Sequence, residues 1–284
     1  MFVTLKDMED IYRKYTGNRN CVMVEITQEC NFNCHFCNYN HEGKGKILDL
    51  KLFEDFMRPL EGQDIAIVLF GGEPTLEMEM CKQTIEMCKK YGFLTSMFSN
   101  GWWGKNEKVL KEIEEINFDY IYISTDRLHA EFVSADIIEN IFRYFEHNQN
   151  TRILTISVFD TQEGEAQNKD LDFLRNLNFD GAKMALALNN YLFEEDIPHE
   201  YCMTDGILFE YNGILKHSCP LGAHACTIGH ARDLDGKAVY KNFIRPIENR
   251  LMKKLLNIND HTEISKIDYE KVDKLLRPIN AALC

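Results

Sequence analysis

Cys21-Val22-Met23-Val24-Glu25-Ile26 leads, three residues later, into Cys30-Asn31-Phe32-Asn33-Cys34-His35-Phe36-Cys37. The first six residues form a short apolar run, which reads as a strand buried on both faces. The loop behind it packs three cysteines at C-x3-C-x2-C spacing. The same strand signal returns at residues 65–70, 93–98, 120–124, 153–158 and 182–188. Amphipathic stretches at helical spacing separate the runs, at residues 76–91, 107–116 and 135–145, with a weaker one at 171–177. Six strand–helix repeats predict a parallel sheet with right-handed crossovers, open or curled into part of a barrel.

In such folds chemistry collects where the strands end. The candidates are therefore Cys30, Cys34 and Cys37 after the first run and Gly71-Gly72-Glu73-Pro74 after the second. Ser99-Asn100-Gly101 follows the third, and Ser124, Thr125 and Asp126 close the fourth. Asp126 reads equally well as a turn cap before Arg127. Arg127 and His129 lie near the same rim, where plain surface roles are the better account. Trp102 and Trp103 fit rim packing better than substrate stacking.

Beyond residue 190 the pattern changes. Residues 206–211 and 214–217 predict a β-hairpin turning at Asn212-Gly213. Cys202 precedes it, Cys219 and Cys226 follow it, a helix is expected over 247–256, and Cys284 ends the chain. The expected organisation is an N-terminal helix over 1–19, a partial (β/α)6 TIM-like barrel over 20–190, and a small C-terminal β-hairpin/helix extension over 191–284.

With 45% hydrophobic residues in 284, the chain can bury a large core, so a wholly disordered chain is excluded. The formal charge of −13 disfavours a phosphate backbone, so no nucleic-acid partner is expected. No run of about 18 apolar residues is present, so no membrane span is expected. The N-terminus carries no basic-then-apolar signal, and a cytoplasmic, reducing location is expected. There, ten cysteines speak for metal binding or catalysis rather than disulfides. Cys21, Cys81 and Cys88 stand singly among apolar residues and read as small buried hydrophobes.

Thiolates are the usual ligands of iron–sulfur clusters, and one loop can wrap three of them around a cubane. Three ligands leave one iron open. Structural zinc asks for four, and His41 could supply the fourth.

This triplet, with an aromatic residue before its last cysteine and a Gly-Gly-Glu at the end of the second strand, resembles the radical S-adenosylmethionine (SAM) superfamily. The resemblance covers about residues 20–190. It implies that Cys30, Cys34 and Cys37 hold a [4Fe–4S] cluster whose open iron binds the methionine part of SAM. It implies that Gly71, Gly72, Glu73 and Pro74 shape the site for SAM's amino group and that Phe36 lies near the adenine. Ser99, Asn100, Ser124 and Asp126 match positions of ribose or methionine contacts. The reaction implied is reductive cleavage of SAM to a 5′-deoxyadenosyl radical that takes a hydrogen atom from substrate, an oxidoreductase chemistry fed by a reductant such as flavodoxin or ferredoxin.

Cys202, the hairpin, Cys219 and Cys226 resemble the SPASM or twitch extensions, which implies an auxiliary Fe–S cluster. The later C-x2-C pair of that pattern is missing, and Cys284, His224 and His230 compete as the fourth ligand. Zinc on Cys202, Cys219, Cys226 and His230, or no metal, are the competing readings. Such extensions often accompany peptide maturases, so the expected substrate is a ribosomally made peptide. With 29 residues ahead of Cys30, no separate leader-binding domain is expected at that end. A dehydrogenase or mutase acting on a small metabolite is the enzymatic alternative. A non-catalytic Fe–S or zinc protein is the alternative of another class, which the Gly-Gly-Glu disfavours.

Overall fold

A computed structural model of the chain describes residues 20–35, 37, 45–156, 158–159, 189–190, 206–218 and 227–239. The apolar runs become strands β1 (Asn20–Thr27), β2 (Ile65–Gly71), β3 (Leu94–Ser99), β4 (Tyr120–Ser124) and β5 (Arg152–Ile156). Each pairs in parallel with the next. Helices α1 (Leu50–Met57), α2 (Met78–Lys90), α3 (Glu107–Ile116) and α4 (Ala135–Tyr144) make the crossovers. Two short strands, β6 (Val158–Phe159) and β7 (Asn189–Asn190), pair by themselves.

The predicted hairpin is present as β8 (Gly206–Phe209) and β9 (Ile214–Ser218), followed by β10 (Thr227–His230) and a short helix, α5 (Gly236–Val239). It does more than extend the chain beyond a barrel. Strand β8 pairs in parallel with β1, Cys21 opposite Gly206 and Val24 opposite Phe209. The result is one eight-stranded sheet, ordered β10-β9-β8-β1-β2-β3-β4-β5, whose outer strands β10 and β5 do not meet. It is the open, partial form of a β/α barrel.

Alternation sets the two faces of the sheet. Val22, Val24 and Ile26 of β1, with Ile67 and Leu69 of β2, join the core shared with the helices. Met23, Glu25 and Thr27 take the opposite face, where Glu25 and Thr27 are also buried. Helix α1 carries no prediction from the sequence reading. The Asp49 side chain caps it by accepting from Leu52 N at 3.0 Å. Phe53, Phe56 and Met57, at i, i+3 and i+4, bury its inner face. The Phe53 and Phe56 rings lie 4.9 and 5.7 Å from Phe209, so α1 fastens the hairpin to the barrel.

Among the described residues no helix is long and apolar enough to cross a membrane. The predicted helices over 1–19, 171–177 and 247–256 and the run at 182–188 lie outside the described residues, as do Phe36, Cys202, Cys219, Cys226 and Cys284.

Candidate active site

The cysteine loop leaves β1 at Thr27 and is pinned at once to the end of β2. Gly72 N donates to Thr27 O and Glu73 N to Glu29 O, both at 2.8 Å. This contact explains the paired glycines. A Cβ on Gly71 would stand 2.2 Å from Thr27 O, and one on Gly72 would stand 2.0 Å from Glu29 O. Gly71 also has a φ of +136°, which side-chain-bearing residues rarely adopt. The glycines admit the backbone of the cysteine loop.

Glu73 is fully buried behind them. Its Oε1 accepts from Thr75 N at 3.2 Å, Thr75 Oγ1 at 2.5 Å and Ser99 Oγ at 2.9 Å. Its Oε2 accepts from Asn100 N at 2.7 Å. Burial pushes the carboxyl's pKa up, and these hydrogen bonds oppose the rise. The network continues outward, since Trp103 Nε1 donates to Ser99 Oγ at 2.8 Å and Trp102 Nε1 to Thr75 Oγ1 at 2.9 Å. Both tryptophans thus brace the rim, as rim packing requires. Glu73 binds the ends of β2 and β3 together.

Asn100 faces the cysteine loop. Its Nδ2 donates to Asn31 Oδ1 at 2.9 Å, and its amide lies close enough to the Cys30 thiol to favour the thiolate. Phe32 stacks on Phe132, beyond β4, with ring centroids 5.2 Å apart. The loop is therefore held by β2, β3 and the segment after β4. Asn31 and Phe32 carry no assignment from the sequence, where only the cysteines around them stand out.

Within the loop, Phe32 N donates to Cys30 Sγ at 3.5 Å and Cys37 N to Cys34 O at 3.1 Å. Cys30 and Cys34 are half-buried and Cys37 is exposed. Burial is the main cause that raises the Cys30 thiol, and Glu73 and Cys37 add to it. Cys34 is pushed up to about 11, by burial first and then by Cys37, Cys30 and Asp126. Cys30 and Cys34 thus hold their protons more tightly than free thiols, and positive charge of the kind a metal centre supplies would favour their thiolates. Among the described residues, no group of three His, Cys, Asp or Glu side chains converges tightly enough for a single ion. A cubane spreads its three protein ligands over three irons, so three thiols on one wrapping loop suit it.

Asp126 is buried at the end of β4. Its Oδ1 accepts from Leu128 N and His129 N, both at 2.9 Å, and its Oδ2 lies 2.7 Å from His129 Nδ1. It is a turn cap that also fixes the His129 imidazole. Ser124 ends β4 half-buried, and Pro74 is buried, its carbonyl accepting from Cys81 Sγ at 3.2 Å. Cys81 and Cys88 are buried, as expected of small hydrophobes.

Residues 24–156 match the family described as the Radical SAM superfamily. The putative peptide biosynthesis protein YydG of Bacillus subtilis (strain 168) is 26% identical over 147 residues, 48% of this chain and 44% of that protein. The structure of Streptococcus suis SuiB bound to precursor peptide SuiA superposes with a TM-score of 0.55 at 14% identity, over 86% of this chain and 69% of that one. Native anSMEcpe with bound AdoMet and Cp18Cys peptide gives 0.53 at 16% identity, over 93% and 99%. At these identities the two structures show a shared fold, the partial barrel. The chain spans about half the length, or less, of the curated relatives it matches.

Proposed function

We propose that this chain is a radical SAM enzyme that modifies a ribosomally made peptide. The observation that carries the reading is the gathering of the Cys30–Cys34–Cys37 loop, Gly71-Gly72-Glu73 and Asn100 at one end of the sheet. Cys30, Cys34 and Cys37 would hold the [4Fe–4S] cluster. That cluster, when bound, supplies the electron that splits SAM into methionine and a 5′-deoxyadenosyl radical, which takes a hydrogen atom from substrate.

The protein's share is placement. Gly72 and Glu73 fix the loop's outgoing stem, and Asn100 steadies its middle beside Cys30. Glu73, whose Oε1 is held by Ser99 and Oε2 by Asn100 N, would be the carboxylate nearest the ammonium group of SAM. Phe36, Ser124 and Asp126 complete the proposed SAM contacts. The peptide substrate is supported by what YydG, SuiB and anSMEcpe are named or crystallised with. The reading includes a flavodoxin- or ferredoxin-like reductant, and a C-terminal extension over 191–284 in which Cys202, Cys219 and Cys226 hold an auxiliary cluster.

The test is anaerobic reconstitution with iron and sulfide, then dithionite-driven SAM cleavage, in wild type and in Cys30→Ala/Cys34→Ala/Cys37→Ala. The reading expects 5′-deoxyadenosine from wild type and none from the triple variant. A wild-type chain that loads iron but does not bind SAM would sink it. About eight irons per chain, falling to about four in the triple variant, supports the auxiliary cluster; about four in wild type removes it.

A further inference from the structure

The tip of the C-terminal hairpin reaches the base of the cysteine loop, and Glu25 is the residue that receives it. Glu25 lies on the face of β1 away from the helical core and is 1% exposed. Its Oε2 accepts from Tyr211 N at 3.2 Å, and its Oε1 accepts from Gln28 Nε2 at 3.3 Å. Beside it, Glu210 pairs with Lys216 across the hairpin. A Cβ on Gly71 would stand 3.3 Å from Glu25 Cγ, so the carboxylate's stem lies directly under the first glycine of the Gly-Gly-Glu.

Tyr211 also holds the loop's other stem. Its carbonyl accepts from Asp49 N at 2.9 Å, and Lys46 Nζ lies 5.7 Å from its ring centroid. Lys46 O in turn accepts from Gln28 N at 3.1 Å. Thr27 bridges to Ile47. The outgoing stem, Thr27 to Glu29, and the returning stem, Lys46 to Asp49, are thus clasped by one turn that lies 186 residues from Glu25 in sequence. A buried acid in the middle of an apolar strand opposes the strand's own pattern and calls for a role.

The geometry points to Glu25 as a positioning residue of the SAM-binding end: through Tyr211 N–H it holds the hairpin tip against both stems of the cysteine loop and so sets the seat of Gly72 and Glu73. The inference rests on the radical SAM reading. It also makes the hairpin a structural arm through which the segment beyond β8 acts on the cofactor end.

The turn offers a clean probe. Gly213 N donates to Glu210 O at 2.8 Å, so Tyr211 is the second residue of a β-turn, where proline fits. Tyr211→Pro therefore deletes the donor while keeping the turn, and Tyr211→Ala deletes the ring while keeping the donor. Glu25→Gln offers one acceptor oxygen to two donors. In the reconstituted protein, SAM affinity is measured together with the change in the reduced cluster's EPR spectrum on adding SAM. Losing a buried hydrogen bond predicts that Glu25→Gln and Tyr211→Pro each weaken SAM binding about tenfold and blunt the spectral change, with iron content at the wild-type level. The double variant is expected to be no worse than either single one, and Tyr211→Ala to stay within about twofold of wild type. Unchanged affinity, additive losses, or a parallel loss of iron would each overturn the assignment. A wild-type protein that loads iron but binds no SAM defeats the radical SAM reading itself, whereas a wild type that binds SAM and variants that match it defeat only the clasp.

Discussion

Asn100 Nδ2 donates to Asn31 Oδ1 at 2.9 Å, so the end of β3 holds the cysteine loop across 69 positions of sequence. The same asparagine accepts from Trp102 N at 3.1 Å through Oδ1 and donates its backbone N–H to Glu73. Asn100→Ala is expected to free the middle of the loop without unfolding the sheet. Iron should leave the reconstituted protein faster under chelator, by about fivefold for one lost hydrogen bond of roughly 1 kcal/mol. Asn31→Asp keeps the acceptor and should retain iron like wild type. Equal retention in Asn100→Ala and wild type would refute the brace.

Glu73 gathers four donor contacts on two oxygens in a fully buried position. Glu73→Gln places an amide N–H₂ among groups that already donate, so at least one buried donor loses its acceptor. A destabilisation of about 2–4 kcal/mol is expected in urea unfolding of the metal-free chain. Glu73→Leu should be worse, because it strands all four. A loss below about 0.5 kcal/mol in either variant would show that the network is not structural.

Glu25 brings a pH dependence of definite sign. Burial is the main cause that raises its pKa above 4.5, and nearby Glu210 adds to the rise, while Tyr211 N–H, Gln28 and Lys216 oppose it. A carboxyl raised on folding contributes its full stability below 4.5 and loses it as pH climbs through the folded-state value. Glu73 shifts in the same direction. The metal-free protein should therefore lose stability more steeply with rising pH just above 4.5 than Glu25→Gln does. Parallel stability–pH curves for the two proteins in that window would contradict this.

Much of this could be read from the chain because the signals are local. The Val/Ile alternation of β1 and the i, i+3, i+6 spacing of Leu110, Ile113 and Ile116 are written in neighbouring residues. The hairpin turn is written in Asn212-Gly213. Its pairing with β1 is not, because a parallel register is fixed by tertiary contacts such as Phe209 on Phe53 and Phe56. Helix α1 has only eight residues, and its cap Asp49 lies in the stem of a polar loop, so the Phe53–Phe56–Met57 stripe is a weak signal. The site's cysteines announce themselves by spacing. Asn31, Phe32 and Glu25 do not, since each acts through a partner on another element.

Gly72 and Gly62 separate two ways in which glycine matters. Gly62 has a φ of +74° but nothing within 4 Å of where a Cβ would stand, so Gly62→Ala meets only backbone strain, about 1 kcal/mol. A Cβ on Gly72 stands 2.0 Å from Glu29 O and 2.4 Å from Glu29 C, both backbone atoms of the cysteine loop. No side-chain rotation relieves that contact, so the loop itself must move and break the Glu73 N to Glu29 O hydrogen bond. Gly72→Ala should fold, with an ordinary far-ultraviolet circular dichroism spectrum, yet retain less than about half the wild-type iron and bind SAM at least about tenfold more weakly. Gly62→Ala should load iron and bind SAM like wild type, with a melting point lower by a few degrees. If Gly72→Ala loads and binds like Gly62→Ala, the close approach of β2 to the cysteine loop is not what the paired glycines serve.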